Sequence, residues 1–258
     1  KLIAKAGTST LDGVTLAGTL EINATTNRTH SNSIVTVENG LTLDNGAIDF
    51  YSNHYYKTAE LRFLGAGSQS LSGTGAATFR QSYSATHQSN YIFADNTAGI
   101  LEIGSGITVS GEANGFVGKA TSGLVNHGLI HANSTTGSRI VVNGTDWSSD
   151  GILKSSNTGS LYLYGTFSGE SLSNKSLLGH GGFDSTAGGI INIAGTANND
   201  TNAEGINVSD NSGDLHFSGG TISGGTVSTT GSTKLIAKAG TSTLDGVTLA
   251  GTLEINAT

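Results

Sequence analysis

The sequence predicts an all-β fold, a parallel β-helix (β-solenoid) built from many short strands. Short runs with alternating apolar and polar residues recur along the whole chain, which is typical of strands with one buried side. No window of ten or more residues shows the 3.6-residue apolar period of an amphipathic helix. Glycine accounts for 39 of the 258 residues, and proline is absent. These three observations favour a chain that turns often and forms little helix.

The predicted strands are short and are separated by residues that tolerate positive φ, such as Asp12-Gly13, Asn39-Gly40 and Asn45-Gly46. They share a period near two, and examples are 13–22, 33–37, 40–43, 59–64, 99–103, 106–109, 139–142, 160–164, 189–193 and 214–217. Many short strands with frequent turns are compatible with a sandwich, a closed barrel or a solenoid.

The spacing of the strand clusters favours the solenoid. The clusters recur at intervals of roughly 20–30 residues, which is the length of one β-helix coil. Few charged residues are present to protect the edges of an open sheet, whereas a β-helix has open edges only at its two ends. We therefore predict roughly 8–11 coils in 233 residues, spanning roughly 40–55 Å at the usual strand spacing.

The chain repeats its own beginning. Lys1–Thr25 recurs without substitution as Lys234–Thr258, at an offset of 233 residues. We interpret residues 1–233 as one complete repeat unit and residues 234–258 as the start of the next, within a tandem array; the alternative is an artificial duplication. A continuous array predicts that both copies fold alike. It also predicts that five apolar residues of each copy point inward, namely Leu11, Val14, Leu16, Leu20 and Ile22 with their counterparts Leu244, Val247, Leu249, Leu253 and Ile255.

Composition argues against several function classes. Charged residues make up 12% of the chain and the net charge is −7, so no basic patch for nucleic acid is expected. No apolar run approaches the roughly 18 residues that a membrane-spanning helix needs. Cysteine is absent, which excludes disulfides and thiol chemistry within this chain.

Several segments resemble the coils of large bacterial surface proteins: GVTLAGTLEI, NGLTLDNGAIDF, GILEIGSGITVSGEANGFVG, GLVNHGLIHANSTTGSRIVVNG and TGSLYLYGTF. They are similar to filamentous-haemagglutinin-type adhesins and autotransporter passengers, over most of the chain. The resemblance implies a right-handed parallel β-helix that is secreted by a bacterium to the cell surface or beyond. It also implies a role in adhesion, biofilm or a surface coat.

Two aromatic segments interrupt the strand pattern about one coil apart, and they predict a ligand-binding surface. Tyrosine and histidine together form flat amphipathic surfaces that suit sugars or protein partners. The candidate residues are Tyr51, His54, Tyr55, Tyr56, Tyr83, His87 and Tyr91. The alternative is that these tyrosines pack locally. Tyr162 and Tyr164 alternate with leucines and predict a second exposed stripe, suited to binding or to lateral packing between fibres.

One polar segment has the spacing of a weak calcium loop. Asn198, Asp200, Asn202 and Glu204 place oxygen-bearing side chains at every second position. Ala203 stands where an EF-hand requires glycine, so a polar loop is the competing interpretation. We expect no other cofactor.

The sequence predicts a protein that is not an enzyme. Gly179-His180-Gly181 resembles a polygalacturonase signature, but the paired aspartates that accompany that signature are missing, so a polysaccharide-active enzyme is only a remote alternative. The expected function is a structural repeat of a long extracellular fibre, with identical neighbouring repeats, and laterally associated fibres, as partners. The alternative is an adhesin module that binds glycans or a cell surface through the Tyr/His segments.

Overall fold

The computed structural model describes residues 1–24, 32–52, 57–65, 67–81, 90–96, 99–173 and 182–256. Within these ranges the chain forms β-strands and one short 3-10 helix, Gly169–Leu172, which Ser168 caps. The 28 strands, β1 to β28 in chain order, are Leu2–Ala4, Gly7–Leu16, Thr19–Asn23, Ser33–Tyr51, Ala59–Phe63, Gly67–Gln81, Asn90–Ala94, Gly99–Ile103, Ile107–Gly111, Gly115–Val117, Gly123–Asn126, Leu129–Ala132, Arg139–Val142, Ser148–Ser149, Ile152–Ser156, Ser160–Leu163, Thr166–Ser168, Phe183–Ala187, Ile190–Ile193, Thr196–Asn198, Ile206–Val208, Leu215–Phe217, Thr221–Ser223, Thr226–Thr229, Leu235–Ala237, Thr243–Asp245, Thr248–Ala250 and Leu253–Ile255.

The strands form a parallel β-helix, as the sequence predicts. They assemble into one sheet of 21 strands and two smaller sheets of four and three strands. Every ladder between the described strands is parallel, and each joins residues about one coil apart in sequence, as in Leu20↔Ile48 and Ile48↔Ala77. This pattern differs from the antiparallel hairpins of the alternative sandwich.

The solenoid has three sides, and each coil contributes one strand segment to each side. Face A contains residues 2–4, 19–23, 47–51, 76–81, 107–111, 129–132, 152–156 and 183–187. Face B contains residues 7–12, 33–38, 59–63, 90–94, 115–117, 139–142, 160–163, 190–193, 215–217, 235–237 and 253–255. Face C contains residues 14–16, 41–43, 67–73, 99–103, 123–126, 148–149, 166–168, 196–198, 221–223 and 243–245. In the last coils, residues 206–208, 226–229 and 248–250 occupy the third side.

Alternating side chains fill the interior in vertical stacks. On face B, Val35, Leu61 and Ile92 occupy successive rungs and are fully buried. On face A, the rings of Phe50 and Phe79 pack against each other on neighbouring coils, with their centroids 5.2 Å apart and their planes tilted by 60°. Because inward residues pack both within a coil and against the coils above and below, burial of these apolar stacks is the main stabilising term.

The turn residues noted in the sequence form corners between faces. Asn39 and Asn45 have φ values of 56° and 50°, and they mark the bends at which β4 passes from face B to C and from C to A. Gly115 is required for a different reason, since a Cβ atom there would lie 2.0 Å from Cδ2 of Phe79. The Asn-Gly and Asp-Gly pairs thus bend a continuous strand here and do not close hairpins.

Buried polar side chains satisfy the backbone at the corners. The amide Nδ2 of Asn90 donates to the backbone carbonyl of Asn114 at 2.8 Å, and Asn114 Oδ1 accepts from the backbone N–H of Arg139 at 2.8 Å. Trp147 lies in the core. It stacks on Phe167 at 4.5 Å and donates its indole N–H to the carbonyl of Tyr164 at 2.8 Å.

Candidate functional site

The two copies of the repeated segment fold into the same coil. In the first copy Leu2 pairs with Leu20, and in the second Leu235 pairs with Leu253, at the same offset of 233 residues. The ion pair between Lys1 and Glu21 recurs between Lys234 and Glu254. We call residues 1–24 the first coil and residues 234–256 the repeat coil.

The repeat coil continues the solenoid without a linker. Residues 221–233 form two strands and a short turn that lead directly into Leu235–Ala237. The backbone also matches at two corners, since Gly7 and Gly240 have φ values of 112° and 115°, and Gly13 and Gly246 have values of 56° and 64°. Residues 221–233 are therefore part of the coiled column and not a joint.

The repeat coil is rotated by one face relative to the first coil. Residues 2–4 lie on face A, whereas their counterparts 235–237 lie on face B. Residues 10–12 lie on face B, and their counterparts 243–245 lie on face C. One 233-residue interval therefore contains a whole number of coils plus one third of a turn.

Face B allows these coils to be counted. Its outward rungs are Thr8, Ile34, Glu60, Tyr91, Phe116, Val141, Tyr162, Asn192, His216, Ile236 and Glu254. Nine coils separate Thr8 from Ile236 on face B. Thr241, the counterpart of Thr8, follows after about one further third of a turn. This interval of about nine and a third coils lies within the predicted 8–11 and corresponds to about 45 Å.

The apolar residues of the two copies differ in exposure. Leu20 and Ile22 are buried in the first coil, and Leu11, Val14 and Leu16 pack partly buried against the core. Of their counterparts, Leu244, Val247 and Leu253 also pack partly buried against the core. Leu249 and Ile255 are exposed, because no further coil covers them here.

A groove of about 530 Å³ lies on face B, and on the residues directly flanking its strands, in the middle of the solenoid. Tyr91 and Phe116 point outward on neighbouring rungs of face B, and Gly118 also lines the groove. The groove is lined by Thr58, Glu60, Tyr91, Phe93, Phe116, Gly118, Lys119, Ala120, Arg139, Val141, Asn143 and Tyr164.

The aromatic rings of the groove pack against one another in a fixed arrangement. Tyr91 stacks on Phe116 with ring centroids 5.1 Å apart and meets Phe93 edge-on at 6.2 Å. Lys119 Nζ lies 5.1 Å from the centroid of Phe93, with Arg62 over the same ring at 5.7 Å. Such cation–π contacts hold the charged side chains over the aromatic wall.

The carboxylates beside the groove are held by basic side chains. Arg62 Nε contacts Glu60 at 2.6 Å, and Asp95 is contacted by Arg62 at 3.2 Å and by Lys119 at 2.9 Å. Burial raises the pKa of the Tyr91 phenol, and the charge of Glu60 raises it further. Tyr91 therefore offers a neutral hydroxyl on an aromatic surface, which can donate or accept a hydrogen bond.

The structure separates the predicted ligand-binding residues. Tyr51 ends β4 on face A, whereas Tyr91 lies on face B within the groove. The remaining candidates, His54, Tyr55, Tyr56, Tyr83 and His87, lie outside the described residues. Tyr162 and Tyr164 alternate with the buried Leu161 and Leu163, as predicted, and their rings stack at 6.2 Å.

The predicted calcium ligands point in different directions. Asn198, Asp200 and Glu204 are exposed, but Asn202 is buried and its amide donates to Ser173 Oγ and Asn199 Oδ1, each at 2.8 Å. Asn202 thus serves the internal hydrogen bonding of a corner. No group of three or more histidine, aspartate or glutamate side chains is placed to hold a metal ion within the described ranges. His180 lies outside them.

Sequence reasoning missed the aromatic partners of Tyr91. Phe93 and Phe116 lie in short apolar runs, Tyr91-Ile-Phe93 and Gly115-Phe-Val117, which are typical of buried strands. Ile92 and Val117 point inward, so the alternation of side chains along a strand places Phe93 and Phe116 on the outer side. Their pairing across coils depends on loop lengths and is not visible in either run.

Comparison of the chain with protein-family models, curated proteins and solved structures finds no match. None of the described segments forms a helix of the length and apolar character that crossing a membrane requires.

Proposed function

We propose that this chain is a non-enzymatic structural repeat of a long extracellular or cell-surface fibre. The observation that carries the proposal is the position of the repeat coil, which adopts the same internal pairing as the first coil and stacks in register on residues 206–229. Residues 1–233 are then one unit, and each unit extends the same hydrogen-bonded column without a joint.

This geometry predicts the shape of the fibre. Each unit adds about nine and a third coils, or about 45 Å, and turns its successor by one face. A groove on face B of one unit is therefore displayed one third of a turn further round on the next unit. Three units return it to the original direction, so the fibre presents the same surface on all three sides.

A two-unit chain, residues 1–233 followed by 1–258, tests the proposal. Small-angle scattering and electron microscopy should show one straight rod that is about 45 Å longer than the single unit. Urea unfolding should give one transition, because every unit contacts its neighbour through a complete coil. Two bodies joined by a flexible hinge would contradict the proposal.

Adhesion is the second candidate function, and the groove favours it. Stacked aromatic rings flanked by Lys119 and Arg139 form an amphipathic wall of the kind that binds sugar rings. Glycan-array binding by the wild-type chain should be lost in Tyr91→Ser and retained in the control Tyr51→Ser, whose side chain lies on face A. Equal loss in both variants would argue against a groove-specific ligand.

The absence of enzymatic activity is also part of the proposal. Support comes from Glu60 and Asp95, the two carboxylates beside the groove, which are each engaged by basic side chains. The purified chain should leave pectin and alginate uncut. Cleavage that disappears in Glu60→Gln would overturn this part.

A further inference from the structure

Two parallel rows of outward side chains form the groove on face B, and each row crosses four successive coils. The strand registers place one row at Tyr91, Phe116, Val141 and Tyr162. Two residues further along each strand, the second row consists of Phe93, Gly118, Asn143 and Tyr164. Three coil steps separate the two ends of each row, which is about 14 Å at the usual strand spacing.

The second row is interrupted by a glycine, and this interruption opens the groove. Gly118 has a φ value of 81°, and a Cβ atom there would lie 2.0 Å from the backbone carbonyl oxygen of Asn143. A larger residue is therefore excluded at this position. The space above Gly118 lies between Phe93 and Tyr164, and Phe116 forms the wall beside it.

The aromatic rings of the groove are held in place by their neighbours. Phe93 and Phe116 are 6% and 9% exposed, and Tyr91 stacks on Phe116. Tyr164, at the far end of the second row, is 38% exposed and presents the most open ring. A wall that is already ordered loses little side-chain entropy on binding. It suits a ligand that has a flat apolar side, such as a sugar ring.

A side-chain amide without a hydrogen-bond partner lines the same groove. Oδ1 of Asn143 is buried and accepts no hydrogen bond within the part of the chain that the structure describes. An unpaired buried acceptor is unfavourable and calls for an explanation. A hydroxyl group of a ligand would supply one, because it can donate to Oδ1 or accept from Nδ2 when the amide turns about its terminal torsion.

A guanidinium group that has no carboxylate partner flanks the groove on the other side. Arg139 lies four residues before Asn143 on the same coil, about 13 Å away at the usual rise of a strand. Its guanidinium lies 5.7 Å from the ring centroid of Tyr162, and no carboxylate of the described residues is within ion-pair distance of it. Lys119, the other cation that lines the groove, is paired with Asp95. Arg139 is therefore the cation that can bind an anionic ligand, and its planar fork matches a carboxylate.

The remaining groups of the groove argue against two other classes of ligand. The backbone N–H groups of Gly118, Asn143 and Tyr164 each donate to a carbonyl of the preceding coil at 2.8 to 2.9 Å, so a peptide finds no free strand edge there. The carboxylates of Glu60 and Asp95 stand beside the groove, where they repel the phosphates of a nucleic acid. A ligand with a few carboxylates and many hydroxyl groups fits the remaining side chains best.

We propose that the groove binds an acidic saccharide, a sugar chain whose rings carry carboxylate groups. A sugar ring lies against the wall at Phe116, its carboxylate binds Arg139, and a hydroxyl group pairs with the amide of Asn143. The long axis of the groove runs from coil to coil, so more than one ring of the chain is bound. The inference rests on the proposed adhesion through this groove and adds the class of its ligand.

Isothermal titration calorimetry on the full chain tests whether the ligand must be charged. The probes are oligosaccharides of galacturonate, mannuronate or glucuronate, each compared with its methyl ester, in calcium-free buffer so that no metal ion bridges the partners. The ester keeps the rings and the hydroxyl groups and removes only the negative charge. We expect at least one acid to bind, and to bind at least about tenfold more tightly than its ester, because charge-assisted hydrogen bonds are the stronger ones.

Variants of Arg139 test which cation recognises the carboxylate. Arg139→Met should weaken binding of the acid by at least about tenfold and leave binding of the ester unchanged. Arg139→Lys keeps the charge but loses the fork, so its affinity should lie between the two. Arg80→Met is the matched control, because Arg80 pairs with Asp49 on face A and should not affect binding. Thermal unfolding followed by circular dichroism checks that each variant is folded.

The variant Asn143→Leu separates a binding role of the amide from a structural one. It should weaken binding of the acid and of the ester alike, by about fivefold, because both ligands offer the same hydroxyl groups. The unfolding temperature should stay the same or rise, since an unpaired buried acceptor is removed. A lower unfolding temperature with unchanged binding would contradict the role given to Asn143.

Three results would overturn the proposal. The first is that no oligouronate binds, or that every ester binds as tightly as its acid. The second is that Arg139→Met binds the acid as the wild-type chain does. The third is that a single-stranded oligonucleotide binds more tightly than any oligouronate. Binding of neutral glycans that is lost in Tyr91→Ser would leave adhesion through the groove intact and remove only the acidic ligand.

Discussion

The first coil and the repeat coil have the same sequence but different surroundings, so they can be compared directly. Ile22 is 0% exposed, whereas its counterpart Ile255 is 79% exposed. At the other end of the same coil the order is reversed, since Leu2 is exposed and Leu235 is buried. Each residue is buried only where a neighbouring coil lies against it.

This comparison separates two contributions to the fold of a solenoid. Pairing within a coil is the same in both copies and therefore belongs to the local sequence. Burial differs between the copies and therefore belongs to the contacts between coils. In quasi-one-dimensional proteins these two terms add to give the stability, and the duplicated segment allows each to be changed separately.

The largest expected effect is at Ile22 and Ile255. Ile22→Ala should lower the free energy of unfolding by about 2–5 kcal/mol, because it opens a cavity between coils. Ile255→Ala should change it by less than about 0.5 kcal/mol, since an exposed side chain loses little on truncation. Urea unfolding of both variants measures the difference. Similar losses of stability in the two variants would show that contact with a neighbouring coil does not distinguish Ile22 from Ile255.

The second effect is local and is expected at Leu235. Leu235→Ala should reduce the hydrogen-exchange protection of residues 234–256 by at least about tenfold, because the repeat coil loses a buried contact with strand Leu215–Phe217. Leu2→Ala is the matched control and should leave protection of residues 1–24 unchanged. Reduced protection across the whole chain would instead indicate that the last coil unfolds together with the rest.

The third effect is a shift in the pKa of His216, which reports whether the repeat coil is in place on strand Leu215–Phe217. Burial lowers the pKa of His216, and Lys238 of the repeat coil lowers it further. Leu235→Asp should therefore raise this pKa toward the ordinary value of about 6.5, whereas Leu2→Asp should not move it. Because folding favours the neutral imidazole, stability should fall as the pH drops below that ordinary value. NMR titration of His216 checks both statements.

The smallest expected effect concerns the Lys–Glu ion pair of each coil, and it should be equal in the two copies. Hydrogen bonds from Lys1 and Lys234 lower the pKa of Glu21 and of Glu254. Each contribution to stability is present above the ordinary glutamate pKa and is lost as the pH falls through the lowered value. Lys1→Met and Lys234→Met should each raise the pKa of the partner glutamate. Unequal shifts, measured by NMR, would show that this ion pair depends on its neighbours.

Several features of the fold follow from recognisable patterns. Alternation around residues such as Leu161 and Leu163 predicts inward and outward sides correctly, because the side-chain period of a strand is two. Asn39 and Asn45 are correctly placed at bends, although the sequence cannot distinguish a corner from a hairpin turn. The spacing of strand clusters predicts the solenoid and the approximate number of coils.

The candidate groove could be predicted only in part. Tyr91 stands out in the sequence as an aromatic residue at the end of a polar segment, and it does line the groove. Tyr51 carries a similar signal but lies on another face, because loop lengths decide which strands become neighbours. The position of Phe93 and Phe116 beside Tyr91 follows from the same long-range register.

The sequence by itself determined the short alternating strands and the bends between them, because these depend on residues close together in the chain, and it shows directly that 25 residues recur at an offset of 233. Only the tertiary structure decided the rotation by one face between copies, the groove and the burial of each copy. These depend on how many residues each coil uses, and coils of unequal length bring distant residues into register. The repeat coil shows this most directly: its sequence is that of the first coil, but its face and its neighbours are set by the residues between them.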